Sequence, residues 1–230
     1  MIQSGNSFIS FPQSQEVVSN IKYGYLYNWY AASNSLFAPV GWHLPTQAEY
    51  ITLVTFLGGA AIAGGKLKES GLTYWIDPNT GAINSVGFNA RGGGVRGSGA
   101  GTFSGIQETG YHWTTTEDTE NIGFYHTLFL ENYTALADTI NGYSAPKIGN
   151  SVRLIKDNST LVASLTDIDS NVYRTTKIGN QVWLADNWAC TKLSNGTAIP
   201  NVTDNTAWAA LVTGAYCAYD NDINNAFIIP

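Results

Sequence analysis

Two stretches of the chain read almost alike, KIGNSVRLIKDN at 147–158 and KIGNQVWLADNW at 177–188. Both carry K-I-G-N-x-V-x-L: a Gly-Asn pair suited to a turn, then apolar residues at alternate positions, as a half-buried strand requires. A strand phrase duplicated this late leaves few architectures open. Either the chain holds an internal repeat, or two strands with the same turn chemistry close one sheet. The second copy lies within 171–187, which reads as a hairpin turning near Ile178-Gly179-Asn180. The first lies within 147–157, which reads as one strand.

The other elements follow from local patterns. Residues 22–32, KYGYLYNWYAA, crowd five aromatics together and read as a buried strand or extended core segment. Thr46-x-x-Glu49 is a capping box opening an amphipathic helix, with Tyr50, Leu53, Val54 and Leu57 at helical spacing and Gly58-Gly59 as its stop. A second short helix is expected around 60–69. Residues 78–105 are dominated by Gly and Asn and read as loops threaded by short strands, with Gly92-Gly93-Gly94 marking close backbone approach or positive φ. Strand-sized runs follow at 110–117, 122–131 and 133–138. Residues 158–170 look like a connector. Residues 204–214 suggest a short helix with Asp204 as N-cap and Gly214 as stop. Residues 1–21, rich in Ser, Gln and Asn, read as an N-terminal arm.

Composition narrows the function. Charged residues are 12% of the 230, against roughly 25% in ordinary domains, so the polar surface falls to Asn, Ser, Thr, Gly and Tyr. Such surfaces suit adhesive contacts. Net charge is −6 with no basic run, which argues against nucleic acid as a partner. The most apolar stretch, 53–65, is too short and Gly-rich for membrane insertion. The first twenty residues have neither a basic n-region nor an apolar h-region, so no signal peptide is expected. Cys190 and Cys217 read as two buried thiols; a 190–217 bridge is the alternative.

Catalytic patterns are sparse. No G-x-S-x-G, H-E-x-x-H or P-loop occurs, and no metal-ligand spacing, so neither metal nor cofactor is expected. His43 reads as a buried structural group beside the helix cap, His112 as a core-strand residue, and His126 as a side chain free to face outward. The carboxylates of Glu117, Asp118 and Glu120, and of Asp167 and Asp169, read as solvated turns rather than a glycosidase pair. Asp220-Asn221-Asp222 likewise reads as a turn rather than a cation site.

The phrases YGYLYNWYAA, GWHLPTQAEY, AGGKLKESG, GFNARGGG, YHWTTTE and SVRLIKD, in that order over 22–157, strongly resemble the Fibrobacter succinogenes major paralogous domain family. A second set, DIDSNVYRTTKIGNQVWLADNW to AYDND over 167–222, resembles it too. The resemblance implies an α+β, C-type-lectin-like domain of the formylglycine-generating-enzyme type, with a twisted antiparallel sheet, two main helices and long Gly/Asn-rich loops. It carries no general catalytic activity. The cysteine pair of the formylglycine-generating relatives has no counterpart here, because Cys190 and Cys217 fall outside the loop-rich region. The Glu-Pro-Asn, Gln-Pro-Asp and Trp-Asn-Asp sugar motifs of C-type lectins are absent.

In the family the DIDSNVY portion comes first, whereas here it comes last. Three explanations are open: a circular permutant, in which 158–166 links 22–157 to a completing part at 167–222; a fragment of a tandem array; or a swap in which 167–222 completes a neighbouring subunit. Permutation is the preferred reading, giving one domain over 22–230 whose two KIGN strands lie side by side in one sheet.

Members of the family are mainly surface proteins of gut and rumen bacteria or their phages. The resemblance therefore implies a non-enzymatic display module. Related lectin-like folds contact ligands from the part equivalent to 124–147, which nominates Tyr125, His126, Glu131, Asn132, Tyr133, Asn141 and Tyr143. The expected partners are a host cell-surface glycan or protein, other virion or surface proteins held through the arm, and copies of itself in a homo-oligomer. A phage virion surface is the expected location. A secreted bacterial adhesin domain and a polysaccharide-active enzyme are the alternatives.

Overall fold

A computed structural model describes residues 18–139 and 142–229. The architecture is α+β, with curled antiparallel sheets and few helices. β1 (Leu26–Tyr27) is followed at once by α1 (Trp29–Ala32), so the longer strand expected over 22–32 is not formed. Asn28 breaks it: its Oδ1 accepts from Ala31 N at 3.0 Å, capping α1. β2 (Trp42–His43) leads into α2 (Gln47–Phe56). Here the capping box forms as expected, with Thr46 Oγ1 accepting from Glu49 N (3.2 Å) and Glu49 Oε2 from Thr46 N (2.8 Å). Gly58 and Gly59, both near φ +100°, turn the chain by about 90° into α3 (Ala60–Leu67).

The Gly-rich stretch is threaded by β3 (Gly93–Arg96) and β4 (Phe103–Ile106). β5 (Thr109–Glu117), β6 (Tyr125–Glu131) and β7 (Tyr143–Ser144) complete a sheet of order β4-β3-β5-β6-β7. β8 (Ile155–Lys156), β9 (Ser164–Thr166), β10 (Val172–Ile178) and β11 (Gln181–Leu184) join β2 in a second sheet of order β2-β8-β11-β10-β9. α4 (Asn205–Ala209), β12 (Tyr216–Cys217), which pairs with β1, a 3-10 turn (Tyr219–Asn221) and α5 (Ile223–Ala226) end the chain. No single helix among the described residues is long and apolar enough to cross a membrane.

The two KIGN copies lie side by side, as expected. Trp183 of β11 pairs with Ile155 of β8, and backbone bonds from Leu184 N to Leu154 O (3.0 Å) and Trp188 N to Val152 O (2.8 Å) extend the contact. Their glycines serve different ends. Gly179, at φ +59°, makes the two-residue hairpin turn between β10 and β11. Gly149 lies where a Cβ would stand 2.9 Å from the Trp208 ring and 3.1 Å from Arg96. One phrase thus encodes a turn at one site and a close approach at the other.

Four expectations are corrected. Residues 133–138 form no strand; their backbone serves the α3 segment, with Gly65 N donating to Ala135 O and Ala137 N to Ala60 O. Residues 158–166 are not all connector: Ser164–Thr166 form β9, which pairs with β10. The helix at 204–214 ends at Ala209, since Asn28 draws the next residues away by bonding Thr213 O and Ala215 N. The arm does not extend to 21: Ile21 is buried and bridged to Phe227. Residues 1–17 lie outside the described residues.

Long loops leave carbonyls that no ladder satisfies, and buried cations take them. Lys68, Arg91, Arg96 and Arg153 are all buried. Arg153 donates to Leu184 O (3.0 Å), Phe88 O, Asn89 O and Asn187 Oδ1 (2.8 Å). Arg96 donates to Gly101 O (2.8 Å), Val202 O, Thr203 O (2.9 Å) and Asn205 Oδ1, with its guanidinium 4.4 Å from the Trp208 ring centre.

Candidate functional site

β5 and β6 pair in register from Thr109↔Glu131 to Trp113↔Thr127, then slip, so that Glu117 faces Tyr125. The extra residues are in the threonine run of β5 and form a bulge. Its backbone turns to the start of α2: Thr115 N donates to Pro45 O (2.9 Å), and Gln47 N donates to Thr116 Oγ1 (3.0 Å). Gln47 is thereby placed to donate from Nε2 to Thr139 O (2.7 Å) and to His126 Nδ1 (3.1 Å). The Thr139 contact fixes that amide as a donor, so His126 Nδ1 is an acceptor. His126 Nε2 then faces Asp118 Oδ2 at 3.3 Å.

Asp118 also ends the strand. Its Oδ1 accepts from Asn121 N (2.6 Å) above all and from Glu120 N (2.9 Å), which holds its carboxyl below the usual carboxylate range. Glu117 Oε1 accepts from Gly123 N (2.7 Å). Between this turn and the β7 edge lies a cleft of about 410 Å3, bordered by Gln47, Asp118, Glu120, Asn121, His126 and Tyr143. Aromatic rings stand beside it. Tyr143 (41% exposed) meets Phe124 (39%) edge-on at 5.9 Å; on the opposite face of β6, Trp29 stacks on Tyr125 at 3.6 Å while donating to Thr114 O.

The nominated residues therefore divide. Tyr143 borders the cleft, whereas Tyr125, next to His126 on β6, turns to the opposite face and packs on Trp29 and the core. Glu131 ends β6 and Tyr133 follows it, about 20 Å of strand away, and they do not converge with the cleft. Tyr133 is exposed there alone. His126 borders the cleft but is largely buried rather than facing outward, and Asn132 is an interior group that donates to Asp77 O. Strand alternation held this answer, because His126, Leu128, Leu130 and Asn132 share one parity, and two leucines mark it as the core face. Asn141 lies outside the described residues. The sequence reading missed Gln47, Trp29 and Phe124. Of these, the Thr114-Thr115-Thr116 run, which breaks alternation after Trp113, was the one signal that pointed to the bulge.

The remaining titratable groups are structural. His43 is half-exposed rather than buried, held by Glu49 (2.9 Å) and Asp157 (2.7 Å), and these bonds raise its pKa to about 9. His112 is buried as expected, and burial beside Arg153 pushes it down to about 3. The two cysteines are unbridged, and burial raises Cys190 to about 12 and Cys217 to about 11, away from thiolate chemistry. Asp167 accepts from Asp169 N, Asn171 N and the Tyr173 hydroxyl, while Asp169 pairs with Lys192; both close a turn. Asp222 caps α5. Among the described residues no three His, Cys, Asp or Glu groups gather as for a metal ion.

Neither a curated protein nor a solved structure matches the chain. The family model described as Fibrobacter succinogenes major domain matches residues 6–156, ending one residue before the exposed loop that leads to β9. That span holds α1 to α3, β1 to β8 and the whole aromatic rim. The chain belongs to the Fibrobacter succinogenes major domain family.

Proposed function

We propose that this protein is a non-catalytic binding and display module, whose ligand is a host cell-surface glycan or protein. The observation that carries the reading is the rim itself. Phe124 and Tyr143 present exposed ring faces beside a cleft with carboxylate and amide groups, and rigid rings give contact area at low entropic cost. Carboxylates and amides beside such rings suit hydroxyl-rich ligands. The fold proposed is C-type-lectin-like, of the formylglycine-generating-enzyme type and circularly permuted. The pairing of β8 with β11 supports the permutation, since the late segment fills a place in the early segment's sheet. Display on a virion surface is proposed, with a bacterial cell surface as the alternative setting, and other surface proteins as assembly partners.

A glycan array and whole-cell binding assay test the reading, run on the protein and on a Phe124→Ala/Tyr143→Ala variant. Binding by the protein and its loss in the variant, with unchanged particle size, is the expected result. No binding by either, or equal binding by both, overturns the assignment of this rim. Hydrolysis of any glycan by the purified protein overturns the non-catalytic reading.

A further inference from the structure

The family match stops at 156, yet the fold does not close without the C-terminal segment. β11 lies between β8 and β10 in the middle of its sheet, and β1 has β12 as its strand partner. Trp183, Trp188 and Trp208, all fully buried, come from this later segment. So does Asn187, whose Nδ2 donates to Tyr23 O (2.8 Å) and whose Oδ1 accepts from Arg153 and, at 3.2 Å, lies against His112 Nε2. Arg96 and Arg153, both in the matched span, find acceptors at Leu184, Asn187, Val202, Thr203 and Asn205. The matched span therefore has an unfilled core and unsatisfied cations unless a segment with this pattern is supplied.

The connection between the two parts is slight. Residues 157–163 are exposed apart from half-buried Val162. They cross from β8 to β9, three strand spacings or about 14 Å, with a reach of about 24 Å. Nothing in the receiving surface depends on which chain the segment comes from.

We infer that residues 164–229 are an exchangeable closing segment, and that the surface receiving them is an acceptor site for the same segment of a second copy. Within one intact chain the tethered copy wins by its high effective concentration. Release of the tether, or transient opening at high protein concentration, lets the segment of one chain close another, giving a swapped dimer or an open array. The inference rests on the packing of the segment and stands whether or not the aromatic rim binds glycan.

The test inserts a specific protease site after Ser159 in the full chain. The uncut protein is expected to fold, and after cleavage the two pieces are expected to co-elute as a 1:1 complex. Cut protein at natural isotopic abundance is then mixed with cut 15N-labelled protein, opened in urea and returned to buffer. Native mass spectrometry is expected to find half of the complexes with one labelled and one unlabelled piece. Separation or aggregation of the pieces on cleavage overturns the inference. So does a return of parent masses alone, which means that the acceptor admits no second copy, and so does failure of the uncut insertion to fold, which means that 157–163 is not a mere tether.

Discussion

The two five-stranded sheets are built in opposite ways. β4-β3-β5-β6-β7 takes its strands from 93–144, a nearly continuous stretch, and its outer edge carries the exposed rings of Phe124 and Tyr143. β2-β8-β11-β10-β9 draws strands from Trp42 through to Leu184 and is backed by buried cations and tryptophans. The first sheet depends on local pairing and can vary at its rim. The second must bring distant segments together, and the join of β8 to β11 is held by buried Arg153, which donates to Leu184 O and Asn187 Oδ1. Closure reaches into both sheets, since Arg96 of β3 takes acceptors at Val202, Thr203 and Asn205, while the exposed rings stand at the edge of the first.

Damage to a buried polar group at a join is therefore expected to cost far more than damage to the exposed edge. Arg153 is the most severe case. Its pKa is pushed down to about 10 by burial, and it has no carboxylate among its hydrogen-bond partners, so it relies on the carbonyls of Phe88, Asn89 and Leu184 and on the Asn187 amide. Arg153→Met retains volume but orphans these acceptors. It is expected to destabilise the protein by roughly 4 kcal/mol, read as a fall in the urea midpoint without a change in slope. A loss under about 1 kcal/mol means that water replaces the guanidinium and the comparison fails.

Two histidines sharpen the point by titrating in opposite directions. His112, on β5 of the first sheet and against Arg153, has a folded pKa of about 3, below its unfolded value of about 6.5. Its contribution is present above pH 6.5 and is lost as pH falls towards 3, by roughly 4 kcal/mol at the limit. His112→Gln, which keeps a donor for Asn187, is expected to flatten the acid side of the stability curve. His43, on the edge strand of the second sheet, has a folded pKa of about 9. Its contribution is full below pH 6.5 and is lost as pH rises through 9. The side chain is 39% exposed, so solvent screening reduces this to about 1 kcal/mol. Urea midpoints at about pH 6 and about pH 10, compared with those of His43→Gln, check it.

These contrasts bear on what could be read in the sequence. The α2 cap, the α3 helix, the hairpin at Gly179 and the pairing of the KIGN strands were legible, because each rests on residues within a few positions or on a phrase that repeats. Thr46→Ala tests the first of these and is expected to cost about 1 kcal/mol, since it removes the hydroxyl that accepts from Glu49 N and leaves the backbone arm to Glu49 Oε2 in place. The buried cations were not legible. An arginine that ends on backbone carbonyls from a distant segment leaves no pattern in its own neighbourhood, and Arg96 and Arg153 look like surface residues until the loops at 201–205 and 184–187 are in place. The rim was half legible. Aromatic density suggested the region, but the face a strand residue takes depends on parity, which density does not report; the bulge at 114–116 puts two extra residues into β5, so odd positions still face odd ones beyond it.

The smallest stability effect belongs to the rim, and it is the one that separates display from closure. Phe124 and Tyr143 contact each other edge-on across an exposed strand edge and are absent from every buried cluster. Tyr125 differs, because its ring is stacked on Trp29 and packs against the largest core cluster. Phe124→Ala and Tyr143→Ala should therefore each change stability by no more than about 0.5 kcal/mol, while Tyr125→Ala costs more, roughly 1–2 kcal/mol through the lost stack and buried area. Thermal unfolding of the three variants ranks them. If Phe124 or Tyr143 proves as costly as Tyr125, the rings are structural and the first sheet has no surface free for a partner. If all three are silent, the Trp29 stack is not fixed. The expected pattern, one costly ring beside two silent ones, is what a rigid platform with two free contact residues requires.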